Sequence, residues 1–346
     1  MRFKTLFLGS LLLVALPLTA QADDRKQKQQ ELKGTNDTYI SLSVENDNLG
    51  GGTDRFYTSG IRLTWFDADI NVPPMIDTMA DRIPTFDLNE RTSTFYTIGH
   101  NIYTPEDITL ANQPQGDRPW AAFLYGSVGM ATPTFSNNGD VHHLDELEFT
   151  LGIVGPEALG EQTQKFVHKY ISDSPKPEGW DNQLEFEPGF IVSWQRRFPY
   201  AWEKDFGSVN TRIEPNMSVS LGTIRTNVGV GATLVAGSNR SLDTPPRVRP
   251  AVPGTGIFLT DDNTFNWQVF AGIDGRLVGR DIFLDGNTFS SSNEVDKNYL
   301  VGDLSTGVSL FYDDYRLSYT LNMRTKEFKN QRNESVFGSL TLTKRF

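Results

Sequence analysis

Cysteine is absent from the 346 residues. No disulfide can brace the fold and no thiolate can bind a metal or attack a substrate. Beyond the N-terminus no stretch approaches eighteen uninterrupted apolar residues, so the mature chain contains no transmembrane helix. Positive charge is short: 32 Lys and Arg stand against 43 Asp and Glu, a formal net charge of −11. That balance argues against a nucleic-acid partner. Histidine is scarce, with four in the chain, which argues against a His-rich zinc site. No G-x-S-x-G occurs, so the elbow of the serine hydrolases is missing.

What is present begins with an address. Met1-Arg2-Phe3-Lys4 is basic, Leu6 to Leu18 is apolar, and Ala20-Gln21-Ala22 is a small-residue cleavage site. Residues 1–22 read as a secretory signal peptide and residues 23–37 as a polar, mobile arm. Without disulfides, the exported remainder must rely on a large core, a metal, or a closed hydrogen-bond network.

From residue 38 the pattern has a period of two. Ile40, Leu42 and Val44 alternate with Ser41, Ser43 and Glu45. Tyr57, Ser59, Ile61, Leu63 and Trp65 alternate with Thr58, Gly60, Arg62 and Thr64. Later runs put Ile213, Met217, Val219 and Leu221 against Arg212, Glu214, Asn216 and Ser220, and Leu317, Leu321 and Met323 against Arg316, Asn322 and Arg324. A soluble sandwich also alternates. These runs, however, reach the length a tilted strand needs to cross a bilayer. Aromatics (Tyr39, Tyr57, Trp65, Phe265, Trp267, Tyr315) punctuate the ends of the apolar faces like the girdles of membrane barrels. The chain closes on an alternating strand with a terminal Phe346. Since lipid admits only helices and closed barrels, residues 38–346 are expected to form an all-β, twelve-stranded antiparallel transmembrane barrel. The predicted strands are 38–46, 56–67, 93–103, 119–131, 143–154, 187–197, 209–222, 224–236, 264–278, 297–311, 314–327 and 334–346.

Parity then sets direction. With a periplasmic N-terminus, the Asn46–Phe56 loop and residues 104–118 and 155–186 are external. The sides of 198–208, 237–263, 279–296 and 328–333 depend on the strand count. Gly155 to Ile171 reads as a helix in an external loop. Pro156 suits its first turn and Glu157 and Glu161 its positive end. Leu159, Phe166, Val167, Tyr170 and Ile171 give it an apolar side, while Glu161, Gln164 and His168 share a second face.

The polar, Gly-rich stretch Asn46–Gly60 lies at the same end of the barrel as this helix. Asn, Asp, Thr and loop carbonyls are hard oxygen ligands that suit Ca2+, although the spacing is not that of an EF-hand. A Ca2+ beside His168 points to metal-assisted hydrolysis, with the metal polarising a carbonyl and the His deprotonating water. A serine triad is disfavoured, because the nearest Ser, Ser59, is turned by alternation toward lipid. Of the other His residues, His142 and His143 stand at a strand start and His100 lies on an apolar parity.

The segments S-V-E-N-D-N, T-D-R-F-Y-T-S-G, N-I-Y-T-P, G-D-R-P-W-A, G-x-V-G-P and G-E-Q-T-Q-K-F-V-H, in order from Ser43 to Trp180, resemble the lipid A 3′-O-deacylase family of outer-membrane barrels. The resemblance implies a twelve-stranded barrel with its active site between the outer wall and an external helix. It also implies a calcium-dependent esterase that removes a 3-acyloxyacyl chain from lipid A, the lipopolysaccharide anchor, on the extracellular side of the outer membrane. By the same resemblance Asn46 and Asp47 bind or position Ca2+, Thr58 lines the metal site, His168 is the general base, and Gln164 orients water or substrate. Two departures stand out. The loop after N-I-Y-T-P, Glu106 to Asn112, lacks the family's Lys, for which Arg118 is a candidate substitute. The acidic residue after the His has only Asp173 as a counterpart. The runner-up readings are a phospholipase with the same machinery and a non-enzymatic pore. The barrel is expected to act as a monomer among outer-membrane lipids.

Mass spectrometry of the exported protein should find Asp23 as the first residue. A chain that still begins at Met1 would remove the export argument.

Overall fold

The computed structural model describes residues 38–52, 55–67, 86, 88–89, 92–136, 141–172, 174–238 and 264–346. The predicted signal peptide, the arm and Asp173 lie outside them. Thirteen strands form one antiparallel sheet: β1 Thr38–Asn46, β2 Phe56–Asp67, β3 Ser93–Thr104, β4 Ala121–Phe135, β5 Val141–Val154, β6 Glu187–Arg197, β7 Trp202–Phe206, β8 Val209–Gly222, β9 Arg225–Gly237, β10 Asn266–Asp281, β11 Leu300–Tyr312, β12 Tyr315–Arg324 and β13 Ser335–Arg345. Neighbours in the chain pair with one another. β1 pairs β13, and β6 pairs β8, so the sheet closes on itself. The circuit holds twelve strands.

The thirteenth, β7, was not foreseen, and it adds no wall. β8 pairs β6 through residues 216–222 and β7 through residues 209–213. β6 and β7 are therefore successive parts of one line, broken at Phe198–Ala201. Pro199 cannot donate to a ladder, and Phe198 N–H is taken by the Pro215 carbonyl instead.

The burial pattern is the inverse of a soluble protein's. Ile98 and Leu151 are 66% and 71% exposed, whereas Gln268 and Ser309 are fully buried. Apolar groups face outward and polar ones face the lumen, as a closed barrel in lipid requires. Trp65, Phe265 and Tyr315 keep outward positions. Tyr39 and Tyr57, grouped with them on alternation, point into the lumen. Tyr39 packs on Phe66 in a cluster with Phe95 and Phe311. Tyr57 is turned by a β-bulge between Tyr57 and Ser59, where the extra residue, Thr58, breaks the two-residue period. Its hydroxyl donates to Glu45 and accepts from Asn101. The phenol crosses Gly60, where a Cβ would lie 2.1 Å from the hydroxyl.

With twelve strands in the circuit, the connections 47–55, 105–120, 155–186, 223–224, 282–299 and 325–334 share one rim, and both ends of the described chain lie at the other. The connection 198–208 belongs to the rim of the termini, and residues 239–263 lie outside the described residues. At the loop-rich rim the mouth is stoppered. A short helix, α2 (Ile282–Asp285), buries Ile282, Phe283 and Leu284. Phe283 stacks on Tyr103 at 4.1 Å. Beneath it Arg324 bonds Asp303 at 2.6 Å, Glu327 meets Arg324 at 3.4 Å and Arg118 at 3.5 Å, and Arg276 completes the group. Burial alone would raise the Glu327 carboxyl. The guanidiniums of Arg324, Arg118, Arg276 and Arg225 outweigh it and hold the group below the usual carboxylate range.

These charges fill the lumen. Planar-bilayer recordings of the purified barrel should show no steady conductance. Arg324→Met would leave Asp303 and Glu327 each short of one guanidinium, with Arg276 and Arg118 still beside them, and should cost about 3 kcal/mol in denaturant unfolding. Because the Glu327 value is depressed, its contribution to stability is present above the ordinary carboxylate range. It should be lost as pH falls through and below that range.

Candidate active site

Hydrogen-bonded register locates the site on the outside of the wall. One outward row reads Leu321–Gly338–Asn46–Ser59–Ile102–Ala122 across β12, β13, β1, β2, β3 and β4. The next row, one pleat from the rim, reads Tyr319–Leu340–Val44–Ile61–His100–Leu124. Toward the rim this surface is polar, at Asn46 and Ser59. Away from it Val44, Ile61, Leu42 and Leu63 are apolar and exposed.

Two flaps flank that surface. The first is the β1–β2 loop. Asp47 N–H donates to the Thr58 carbonyl at 3.2 Å, and the Asp47 carbonyl accepts from Gly50 and Gly51 at 3.2 and 2.7 Å. The loop leans over β13, where a Cβ on Gly338 would lie 2.7 Å from the Leu49 carbonyl oxygen. The second flap is the β5–β6 connection. The predicted helix is there but interrupted. Pro156–Ala158 forms a single 3-10 turn, Leu159 takes a left-handed φ of 61°, and the α-helix, α1, runs Gly160–Tyr170. The break swings Gly160 onto the wall, where a Cβ would be 2.5 Å from both Ala122 and Trp180. Ala158, Trp120 and Trp180 pack there on Ile102 and Ala122.

The faces of α1 differ from those expected. Its wall side is Gly160 and Gln164, while Phe166, Tyr170 and Ile171 are exposed. Gln164 is drawn inward because its Oε1 accepts the Trp180 indole N–H at 2.8 Å. A buried indole needs such a partner. His168 stands one turn on, with Nδ1 2.6 Å from the Pro175 carbonyl. A carbonyl only accepts, so Nδ1 carries the proton and Nε2 the lone pair. This is the tautomer a general base requires.

The other predicted residues gather at the rim. Asn46 lies in the outward row, and its Oδ1 accepts from Asn48 N–H at 2.8 Å. Asp47 leaves the backbone on the opposite parity and is 2% exposed; its Oδ2 accepts from the Arg55 amide. Thr58 Oγ1 is 2.6 Å from Thr104 Oγ1, joining β2 to β3, the strand on which α1 docks. Asp47 and Thr58 are thus tied directly together, and Gln164 and His168 occupy the facing flap. Among the described residues, no group of three or more His, Asp or Glu is placed to hold a metal. The oxygen set at Asn46, Asp47 and Thr58 contains one carboxylate. Hard oxygens of low total charge fit a loosely held Ca2+ and do not fit zinc.

Arg118 does not substitute for a substrate-facing cation. It is 1% exposed, paired with Glu327 in the lumen mouth, and its guanidinium lies 4.8 Å from the Tyr103 ring centre. Glu106, at the start of the loop that lacks Lys, is bridged by Arg55 at 3.3 Å and Arg332 at 3.5 Å. His100 and Tyr319, which alternation gave no role, stand in the second row. The signal for His100 was a titratable group on a lipid-facing parity.

The fold has counterparts among known proteins. The sequence profile described as "Outer membrane protein LpxR" matches residues 6–346. The chain belongs to the LpxR family. Among solved structures, LpxR from Salmonella typhimurium is similar with a TM-score of 0.70 at 23% identity, over 88% of this chain and 99% of that one. The β domain of the Bordetella autotransporter BrkA gives a TM-score of 0.42 at 8% identity, over 90% of this chain and 99% of that one. Among curated protein sequences no match was found. LpxR-family membership and the closed barrel assign the chain to the outer membrane.

If the Thr58–Thr104 hydroxyl pair ties the rim to the docking strand, Thr58→Val should leave the barrel folded. It should also speed hydrogen exchange of residues 47–52. Unchanged exchange would show that the rim is held without it.

Proposed function

We propose that this LpxR-family barrel is a lipid A deacylase that hydrolyses an ester-linked 3-acyloxyacyl chain from lipid A at the extracellular rim. The observation that carries the reading is that Asn46 and Thr58 stand at the outer, lipid-facing wall and not in the lumen, on the same wall where the helix carrying His168 docks through Gly160. A substrate reaches such a site from within the membrane, with its acyl chains along Val44, Ile61, Leu42 and Leu63 and its head group at the loops. The chemistry needs a base, and His168 is held as one by the Pro175 carbonyl.

In this reading His168 Nε2 takes a proton from water as the oxygen adds to the acyl carbonyl carbon. The same nitrogen returns that proton to the sugar oxygen as the ester C–O bond breaks, leaving a free fatty acid and a sugar hydroxyl. Gln164, fixed by Trp180, holds α1 at the wall and so sets where His168 stands. Asn46, Asp47 and Thr58 would hold Ca2+. When bound, that ion would supply positive charge to the ester carbonyl as negative charge develops on it. Asn46 is also available to orient the substrate.

A phospholipase reading has one observation in its favour: the loop Glu106 to Asn112 holds no Lys to meet a lipid A phosphate. The deciding experiment incubates purified protein with lipid A and, separately, with glycerophospholipid, with and without a chelator, and weighs the products. Lipid A should lose a 3-acyloxyacyl mass. His168→Ala should lower the rate about 10²-fold or more, and chelation should suppress it. Release of fatty acid from glycerophospholipid alone would favour the phospholipase. Intact lipid A with wild-type protein would defeat the proposal.

A further inference from the structure

Two polar side chains interrupt the second outward row, and each reaches a main-chain carbonyl of a different flap. Tyr319 on β12 donates its hydroxyl to the Leu49 carbonyl at 2.7 Å. His100 on β3 places Nε2 2.7 Å from the Ala158 carbonyl. They belong to the same hydrogen-bonded row, with Leu340, Val44 and Ile61 between them. Four strand spacings, about 19 Å, separate them along it.

We infer that Tyr319 and His100 are paired positioning residues, two latches that fix the flaps carrying Asp47 and His168 on either side of the lipid-facing surface. Both bonds form in a row whose other residues, Leu340, Val44, Ile61 and Leu124, are apolar. A lipid environment offers no water to replace a lost donor. Each latch therefore holds its flap more firmly than a similar bond in water would. Close contacts reinforce both. Gly50 approaches β13 so tightly that a Cβ would lie 2.5 Å from the Phe337 carbonyl carbon, and Gly160 meets Ala122 and Trp180 in the same way. Neither latch touches the reacting atoms. Tyr319 acts through Leu49 on the turn closed by the Asp47 carbonyl, and His100 acts through Ala158 on the start of α1. The Ala158 carbonyl requires a proton on Nε2, so His100 serves as a donor whether neutral or charged.

The catalytic arm of the test rests on the deacylase reading, and the structural arm does not. Hydrogen exchange of the full chain is followed in detergent micelles for Tyr319→Phe, His100→Leu and His100→Gln. Folding of each variant is checked by its heat-modifiable migration. Tyr319→Phe should speed exchange in 47–52 about tenfold and leave 160–172 unchanged; His100→Leu should do the reverse. On lipid A both should lower kcat about tenfold with a smaller change in KM. His100→Gln, which keeps an N–H donor, should recover most of the loss. Wild-type exchange in either flap of its variant, or a His100→Gln as slow as His100→Leu, would overturn the latch. Wild-type protein that leaves lipid A intact would sink the substrate reading, while the exchange data still judge the latches.

Discussion

Everything in this molecule follows from one constraint: a polypeptide in hydrocarbon must satisfy its backbone hydrogen bonds internally. The β1–β13 and β6–β8 pairings close the circuit and leave the wall no open edge. Closure sends alternate side chains to lipid and lumen, so the polar half of the sequence becomes the interior. That is why Arg324 and Glu327 are buried, Arg324 over the Phe337 ring, while leucines lie exposed. A buried ion pair is not a strong source of stability in itself. Here it answers a packing need, since long charged side chains fill a lumen that leucine cannot fill without removing the alternation.

The same constraint separates the filling from the function. With the mouth stoppered by α2 and the charge network, the proposed chemistry falls on the outer wall at the rim. Its floor is polar for one row and apolar below, the profile of an amphiphile whose ester lies between head group and tails. The two flaps are irregular backbone close to hydrocarbon, and such backbone is tolerated where it is pinned. Glycines permit the approach at Gly50, Gly160 and Gly338, and Tyr319 and His100 supply donors.

The bulge at Thr58 shows how one extra residue redirects a site. It turns Tyr57 from the outer face into the lumen, where it braces Glu45, Asn101 and Phe337. It leaves Thr58 to pair with Thr104 and its carbonyl to receive Asp47. A regular ladder would have kept the tyrosine in lipid and broken the tie between the two rim residues.

The sequence alone determined the barrel. Period-two alternation is a local property of the chain, so the twelve strands of the circuit and, apart from Tyr39 and Tyr57, the inside–outside sorting were legible without coordinates. So were His168, Gln164, Asn46, Asp47 and Thr58 as candidates, because the motifs that carry them are contiguous. Tertiary structure decided what depends on residues distant in the chain. The bulge that moved Tyr57 is set by register against β3. The inward face of α1 is set by a tryptophan sixteen residues away, Trp180. Arg118 went to the lumen because Glu327 is there, 209 residues on. The latches required five neighbouring strands, across the β1–β13 closure, to bring Tyr319 and His100 into one row. Alternation reports only which side of its own strand a residue faces; which carbonyl waits on that side is settled by how the strands are laid edge to edge.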